Sequence, residues 1–224
     1  MPDQMGEVLV LDPAVHTPEI ECYRLIESLN PLKSSYHLPA LKGFASLDVA
    51  LEKNLVKGVI LLGSSVSVYE GCSWQSELEK MLKHLVSARI PILGICYGHQ
   101  LLGYMYGAKI FELSKKQLGS RKVDILANSR FCREPLSGNL VVSHREVITA
   151  LPAEFEVWAQ SDSFAFEGIK HKNEYIWGIQ AHPEATKQFC LNQNISYPTD
   201  YLPDLEFGWK IIKDFLLFSQ DKPQ

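Results

Sequence analysis

The chemistry-bearing part of this chain begins at Gly94-Ile95-Cys96-Tyr97-Gly98. It has the G-x-nucleophile-x-G form of an elbow, in which a strand turns sharply into a helix and presents the middle residue. A cysteine at a helix N-terminus is favoured as thiolate, because unpaired N–H groups and the helix dipole stabilise negative charge there. A lone cysteine is more often a buried core residue. Here an apolar strand-like run, Ile92-Leu93-Gly94-Ile95, precedes it directly and a helix-like stretch follows it, which is the context an elbow requires. Cys22, Cys72, Cys132 and Cys190 lack that setting. Five cysteines without C-x-x-C spacing predict neither a disulfide framework nor a zinc site.

A thiol nucleophile needs a base that later protonates the leaving group, and His182 in Gln180-Ala181-His182-Pro183-Glu184 is the strongest candidate among the seven histidines. Pro183 pushes His182 toward extended backbone, so residues 182 and 184 project to one side. Glu184 can then accept one ring N–H, fix the tautomer and stabilise the imidazolium. By itself His-Pro-Glu reads as a solvated loop. Its position after the apolar run ending at Ile179 places it at a strand end, where ligands gather in parallel sheets.

The elements that must position these groups follow from periodicity. Apolar runs at 8–11, 58–62 and 92–95 alternate with amphipathic stretches at 18–29, 74–85 and 98–106, predicting βαβ units and a largely parallel sheet. Trp74, Leu78, Met81, Leu82 and Leu85 share one helix face, with Ser73 a candidate N-cap. The second half predicts short strands at 109–113, 122–126, 140–143, 155–160 and 175–180 separated by polar turns. A closing helix carries Leu205, Trp209, Ile212, Phe215 and Leu216 inward, and 221–224 read as a frayed tail. The expected fold is α/β: one domain over 1–224, with a central mostly parallel sheet flanked by helices in a flavodoxin-like or Rossmann-like three-layer arrangement, plus a mixed or antiparallel extension.

At 224 residues, 46% hydrophobic and 21% charged, the chain can bury a sizeable core. A net charge of −4 without a basic run argues against nucleic acid or an anionic membrane as partner. The run at 8–11 is too short for a signal h-region or a spanning helix, so a reducing cytoplasm is the expected compartment. No G-x-x-x-x-G-K-[ST] phosphate loop is present.

Taken together, these residues resemble the class I glutamine amidotransferase superfamily, whose G-x-C-x-G-x-Q and H-P-E signatures stand here as Gly94 to Gln100 and His182 to Glu184. Within it, Gly63 to Glu70 looks like the oxyanion turn of the GMP-synthase-like branch, and Ser143-His144-Arg145-Glu146 like its S-H-x-D substrate loop; 192–203 reads as idiosyncratic. The resemblance implies that Cys96 attacks an amide carbon, His182 shuttles the proton and Glu184 orients His182. It implies further that backbone N–H groups of Ser64 and Tyr97 bind the oxyanion, and that Gly63, Gln100, Ser143 and His144 line the substrate pocket. No cofactor and no metal are implied. The substrate would be glutamine or another γ-glutamyl compound, and the ammonia acceptor would belong to a synthetase partner. Two departures stand out: Gly63-Ser64-Ser65 replaces the usual G-G-P, and Glu146 the usual Asp. Ser64 gives up glycine's access to φ > 0, which bears on where its N–H points. Two further readings stay open: a stand-alone γ-glutamyl peptidase using the same triad, and a non-catalytic regulatory module that keeps only the fold.

Overall fold

The computed structural model describes residues 6–53, 55–126, 129–132, 134–196 and 202–221. Its elements, in chain order, are β1 (Glu7–Leu11), α1 (Ile20–Leu29), β2 (Lys33–His37), α2 (Pro39–Lys42), α3 (Ala45–Glu52), β3 (Val56–Leu61), α4 (Ser73–Ser87), β4 (Ile92–Ile95) and α5 (Tyr97–Met105). They continue with β5 (Lys109–Ile125), β6 (Leu136–Ala150), β7 (Phe155–Gln160), β8 (Gly168–His171), β9 (Ile176–Ile179), α6 (Lys187–Asn192) and α7 (Leu202–Asp221).

The strands join in one sheet of order β2-β1-β3-β4-β9-β8-β7-β5-β6. The first five in that order are mutually parallel and the rest pair antiparallel, so the expected parallel centre with an antiparallel extension is what forms. Alternation along the buried strands sorts the core into two layers. Val8, Val10, Ile60, Leu93 and Ile95 pack on one face against Ile26 of α1 and Ile211, Ile212, Phe215 and Leu216 of α7. Leu9, Leu11, Val59, Leu61 and Ile92 pack on the other face against Leu47 of α3, Leu78, Leu82 and Leu85 of α4, and Leu101 and Leu102 of α5. Full burial of each such side chain is worth about 1.5–3 kcal/mol before entropy is counted, so both layers are needed to hold the strand ends in register.

Three expectations are corrected. Ser73 is the first residue of α4, not its cap; Cys72 takes the cap position without a side-chain hydrogen bond. The elbow helix starts at Tyr97, not Gly98. The predicted short strands at 109–113, 122–126 and 140–143 are parts of two long strands, β5 and β6, which pair as a hairpin from Lys109↔Ala150 to Ile125↔Leu136. The polar stretch between them contains no proline, and from Gln117 to Arg121 it pairs with β6 across the ladder rather than forming a turn. The register jumps between Glu112 and Gln117, where residues 113–116 bulge opposite Arg145. Trp209 is only partly buried, its indole N–H donating to the Ala185 carbonyl at 3.3 Å. Most of the expected frayed tail, 222–224, lies outside the described residues, as does 197–201 of the idiosyncratic segment. Among the described residues no helix is long and apolar enough to cross a membrane.

Candidate active site

The parallel strands β1, β3, β4 and β9 end on the same edge of the sheet, and the candidate residues sit just beyond those ends. Cys96 follows β4 directly and caps α5 with φ 53° and ψ −103°, a left-handed conformation that a non-glycine residue adopts only under constraint. The constraint is packing. A Cβ at Gly98 would lie 2.4 Å from the Leu61 carbonyl oxygen, and one at Gly94 would lie 2.5 Å from the Gly98 backbone, so strand and helix meet at glycine-only distance. The turn leaves Cys96 5% exposed at the floor of a cavity. Tyr97 is the first helical residue, and such an N–H has no acceptor one turn earlier in its own helix.

His182 is placed by β9 and by a single bridge to β6, its N–H donating to the Val141 carbonyl at 2.8 Å. Its Nδ1 lies 2.8 Å from Glu184 Oε1, and both side chains are buried, 4% and 2% exposed. The carboxylate can only accept, so Nδ1 carries the hydrogen. Nε2 is buried and makes no hydrogen bond among the described residues, and Cys96 is close enough to act on the ring. Burial by itself lowers the His182 pKa, but Glu184 and Cys96 outweigh it and raise the value to about 10. Phe189 of α6 covers the imidazole, ring centroids 4.5 Å apart.

Gly63, just beyond β3, closes the arrangement. A Cβ there would stand 3.2 Å from His182 Cε1 and 3.9 Å from Cys96 Sγ, so the turn runs close beside both groups. Ser64 is not at positive φ, so serine costs no backbone strain here, and its hydroxyl donates to the Pro13 carbonyl at 2.8 Å.

The cavity has a volume of about 970 Å³, and all nine residues singled out from the sequence except Tyr97, which is fully buried beneath its floor, line it. Gln100 Nε2 donates to the Glu146 carbonyl at 2.9 Å and to Gln180 Oε1 at 3.2 Å, so its amide is held by the wall. The Ser143 carbonyl accepts the Cys96 thiol at 3.9 Å, and its hydroxyl donates to Gln193 Oε1 at 2.7 Å. Both ring nitrogens of His144 are engaged within the protein. That leaves its ring no free polar atom for a substrate.

Sequence reasoning missed Glu19, Phe189, Asn192 and Gln193, which form part of the wall. Asn192 Nδ2 donates to Glu19 Oε2 at 3.3 Å, joining the end of α6 to the loop after β1. That loop is fixed by buried Asp12, which accepts the Ala14 and Glu19 N–H groups at 2.9 and 2.8 Å and the Tyr36 hydroxyl. Only an Asp ending a buried strand before Pro13 could have hinted at it. Among the described residues no group of three or more His, Cys, Asp or Glu is placed to hold a metal ion.

A sulfur nucleophile beside an imidazole oriented by a carboxylate suits acyl transfer from an amide. Comparison with known proteins agrees with the geometry. The model of the family described as glutamine amidotransferase class-I matches residues 35–189. Similar curated proteins include the glutamine-hydrolyzing GMP synthase of Caldicellulosiruptor saccharolyticus, 32% identical over 171 residues, covering 76% of this chain and 29% of that protein. That of Campylobacter hominis is 29% identical over 168 residues, covering 75% of this chain and 32% of that protein. The chain thus spans about a third of the length of these relatives. Among solved structures, a glutamine amidotransferase of Thermotoga maritima superposes with a TM-score of 0.71 at 20% identity, covering 97% of this chain and 99% of that one. One from Methylobacillus flagellatus gives 0.67 at 13% identity, covering 96% and 94%. At such identities the likeness concerns the fold.

Proposed function

The chain belongs to the class-I glutamine amidotransferases, cysteine-dependent enzymes that hydrolyse glutamine, and from that premise we propose that it releases ammonia through a thioester on Cys96. The observation that carries the reading is the elbow cysteine beside an imidazole whose other nitrogen is fixed by a buried carboxylate. His182 takes the Cys96 thiol proton, Sγ attacks the side-chain amide carbon of glutamine, and the C=O electron pair moves to oxygen. The N–H groups of Ser64 and Tyr97 hold that oxyanion, and each such donor is typically worth about 10²–10³ in rate. The C–N bond then breaks, protonated His182 gives its proton to the leaving nitrogen, and ammonia departs. A water, deprotonated by His182, attacks the thioester; glutamate leaves and the thiol is restored. Gly63, Gln100, Ser143 and His144 form the wall against which the glutamyl group lies, the last through its backbone and ring face. The region 1–224 serves as one amidotransferase domain, and the acceptor of its ammonia belongs to a synthetase partner. The relatives' name, glutamine-hydrolyzing GMP synthase, supports that pairing.

A second reading has one observation in its favour. The cavity of about 970 Å³ is at the top of the usual range of about 300–1,000 Å³ for ligand pockets, larger than free glutamine needs. A γ-glutamyl peptide would fill more of it, and the same thioester chemistry would open its amide. Ammonia and glutamate release by the purified chain, assayed with glutamine and with γ-glutamyl dipeptides, tests both. Equal turnover by wild type and Cys96→Ser would sink the thioester; a dipeptide preference in kcat/KM of about tenfold or more would replace the amidotransferase reading by the hydrolase one.

A further inference from the structure

The wall of the cavity holds a second imidazole, His144, and the structure shows why it differs from His182. Arg121, on β5, is nearly buried, its side chain 10% exposed against a fully buried Glu167. Its Nη1 donates to Glu167 Oε1 at 2.7 Å and reaches His144 Nε2 at 3.2 Å, while Nη2 donates to Gln117 Oε1 at 3.3 Å. The guanidinium lies 4.5 Å over the Phe164 ring, whose edge in turn meets the His144 ring at 5.9 Å.

Elementary hydrogen-bond chemistry then assigns the protons. Arginine only donates, so His144 Nε2 must present its lone pair. The Glu146 carbonyl, 3.1 Å from Nδ1, only accepts, so Nδ1 must carry the hydrogen. A proton added at Nε2 would point at the guanidinium N–H. The two partners thus hold His144 neutral and in one tautomer. Glu167 extends the same clamp toward the nucleophile's partner, because its backbone carbonyl accepts the Gln180 N–H at 2.7 Å, two residues before His182.

We propose that Arg121, anchored by Glu167, is a positioning residue for glutamine hydrolysis: it occupies His144 Nε2, keeps that imidazole out of proton transfer and holds the Ser143–Arg145 wall against Cys96. The inference rests on the reading that Cys96 and His182 hydrolyse the amide. Without such a clamp the cavity would contain two imidazoles able to take the thiol proton, only one of them facing a leaving group correctly. The charged and titratable groups acting on His144 agree. Burial first, then Arg121 on β5, His182 beyond β9 and His99 on α5 disfavour its charged form and push its pKa down to about 3, against a smaller opposing effect of the Glu146 carbonyl.

The test combines histidine NMR with kinetics. Wild type is expected to show His144 in the single Nδ1–H tautomer and untitrated between pH 4.5 and about 8. In Arg121→Gln, His144 is expected to begin titrating inside that window, and kcat/KM for glutamine to gain an acidic limb at the same pH. KM is expected to rise about three- to tenfold, the cost of one lost hydrogen bond in the wall, with kcat at pH 8 within about threefold of wild type. Arg121→Lys, which keeps a charged donor, is expected to leave His144 untitrated. A merely structural arginine would lower the melting temperature without creating the new ionisation. Titration of His144 in wild type, or its continued absence in Arg121→Gln together with an unchanged pH profile, would overturn the proposal. Should Arg121→Gln fail to fold, Glu167→Gln releases the guanidinium from its anchor; it is expected to shift His144 in the same direction, and no shift there overturns the proposal equally. The NMR arm needs no turnover, so a failure of the glutaminase reading shows as an inactive wild type with the His144 pattern intact.

Discussion

Glu184→Gln isolates the electrostatic contribution of the carboxylate, because the amide is nearly the same shape and Glu184 is 2% exposed. The bond at stake, 2.8 Å from His182 Nδ1, is charge-assisted, and such bonds are worth about 1.5–3 kcal/mol. If the amide oxygen replaces Oε1, the imidazolium loses its counter-charge but keeps its tautomer, and kcat/KM for glutamine should fall about 10- to 150-fold. His182→Ala removes the proton carrier itself and should cost more, about 10²–10⁴. The sign of the pH effect follows from the same contact. Glu184 is the largest of the causes that raise the His182 pKa toward 10, against a burial effect that lowers it. Without it, protonated His182 is lost at lower pH, so the alkaline limb of the kcat/KM profile should move down. Stability follows by linkage: a folded pKa above the ordinary value of about 6.5 contributes stability that is complete below that pH and lost as pH rises through about 10. Wild-type melting temperature should therefore decline across that window, and the decline should flatten in Glu184→Gln. The assay is glutamate release from glutamine at pH 5.5–9.5, with thermal melts alongside. A folded Glu184→Gln enzyme within threefold of wild type, or one worse than His182→Ala, would refute the orienting role.

Intact mass spectrometry of wild type quenched during turnover should detect a γ-glutamyl adduct that disappears in Cys96→Ser, which should remain folded because sulfur-to-oxygen exchange leaves the elbow backbone unchanged. Gly63→Ala places a methyl 3.2 Å from His182 Cε1 and 3.9 Å from Cys96 Sγ, and should lower kcat about tenfold or more with little change in melting temperature. Ser64→Ala removes the hydroxyl bond to Pro13 but keeps the N–H, so it should cost about 1 kcal/mol of stability while kcat stays within about threefold; a larger loss of kcat would assign the hydroxyl, not the backbone, to the oxyanion.

The residues that could be found from sequence are those whose geometry makes local demands. An elbow needs Gly94 and Gly98 because strand and helix meet at backbone distance there, and it needs an apolar strand before it; all of this is written within seven residues. His182 and Glu184 announce themselves as a short motif, although the extended backbone expected there is not what forms: residues 183 and 184 make a turn, closed by the Ala185 N–H donating to the His182 carbonyl at 3.2 Å, and the carboxylate meets the ring across it. At Ser64 the turn does not run at positive φ, so serine is accommodated there without backbone strain. What stayed hidden depends on pairing at long range. Polar β2 carries no apolar run that would announce it, yet it is a strand because β1 offers a free edge. The stretch 114–121 of β5 carries no strand signal, but from Gln117 onward it pairs with β6, and that pairing sets Arg121 toward Glu167, 46 residues away. Gln193 reaches Ser143 from the end of α6 and Glu19 reaches Asn192 across 173 residues. No local pattern can encode such contacts, because each is specified by the register of strands that carry no chemistry themselves. The cysteine is thus readable from its own turn, whereas the walls that decide which amide reaches it are readable only from the fold, and it is there that substrate preference should diverge between this chain and its relatives.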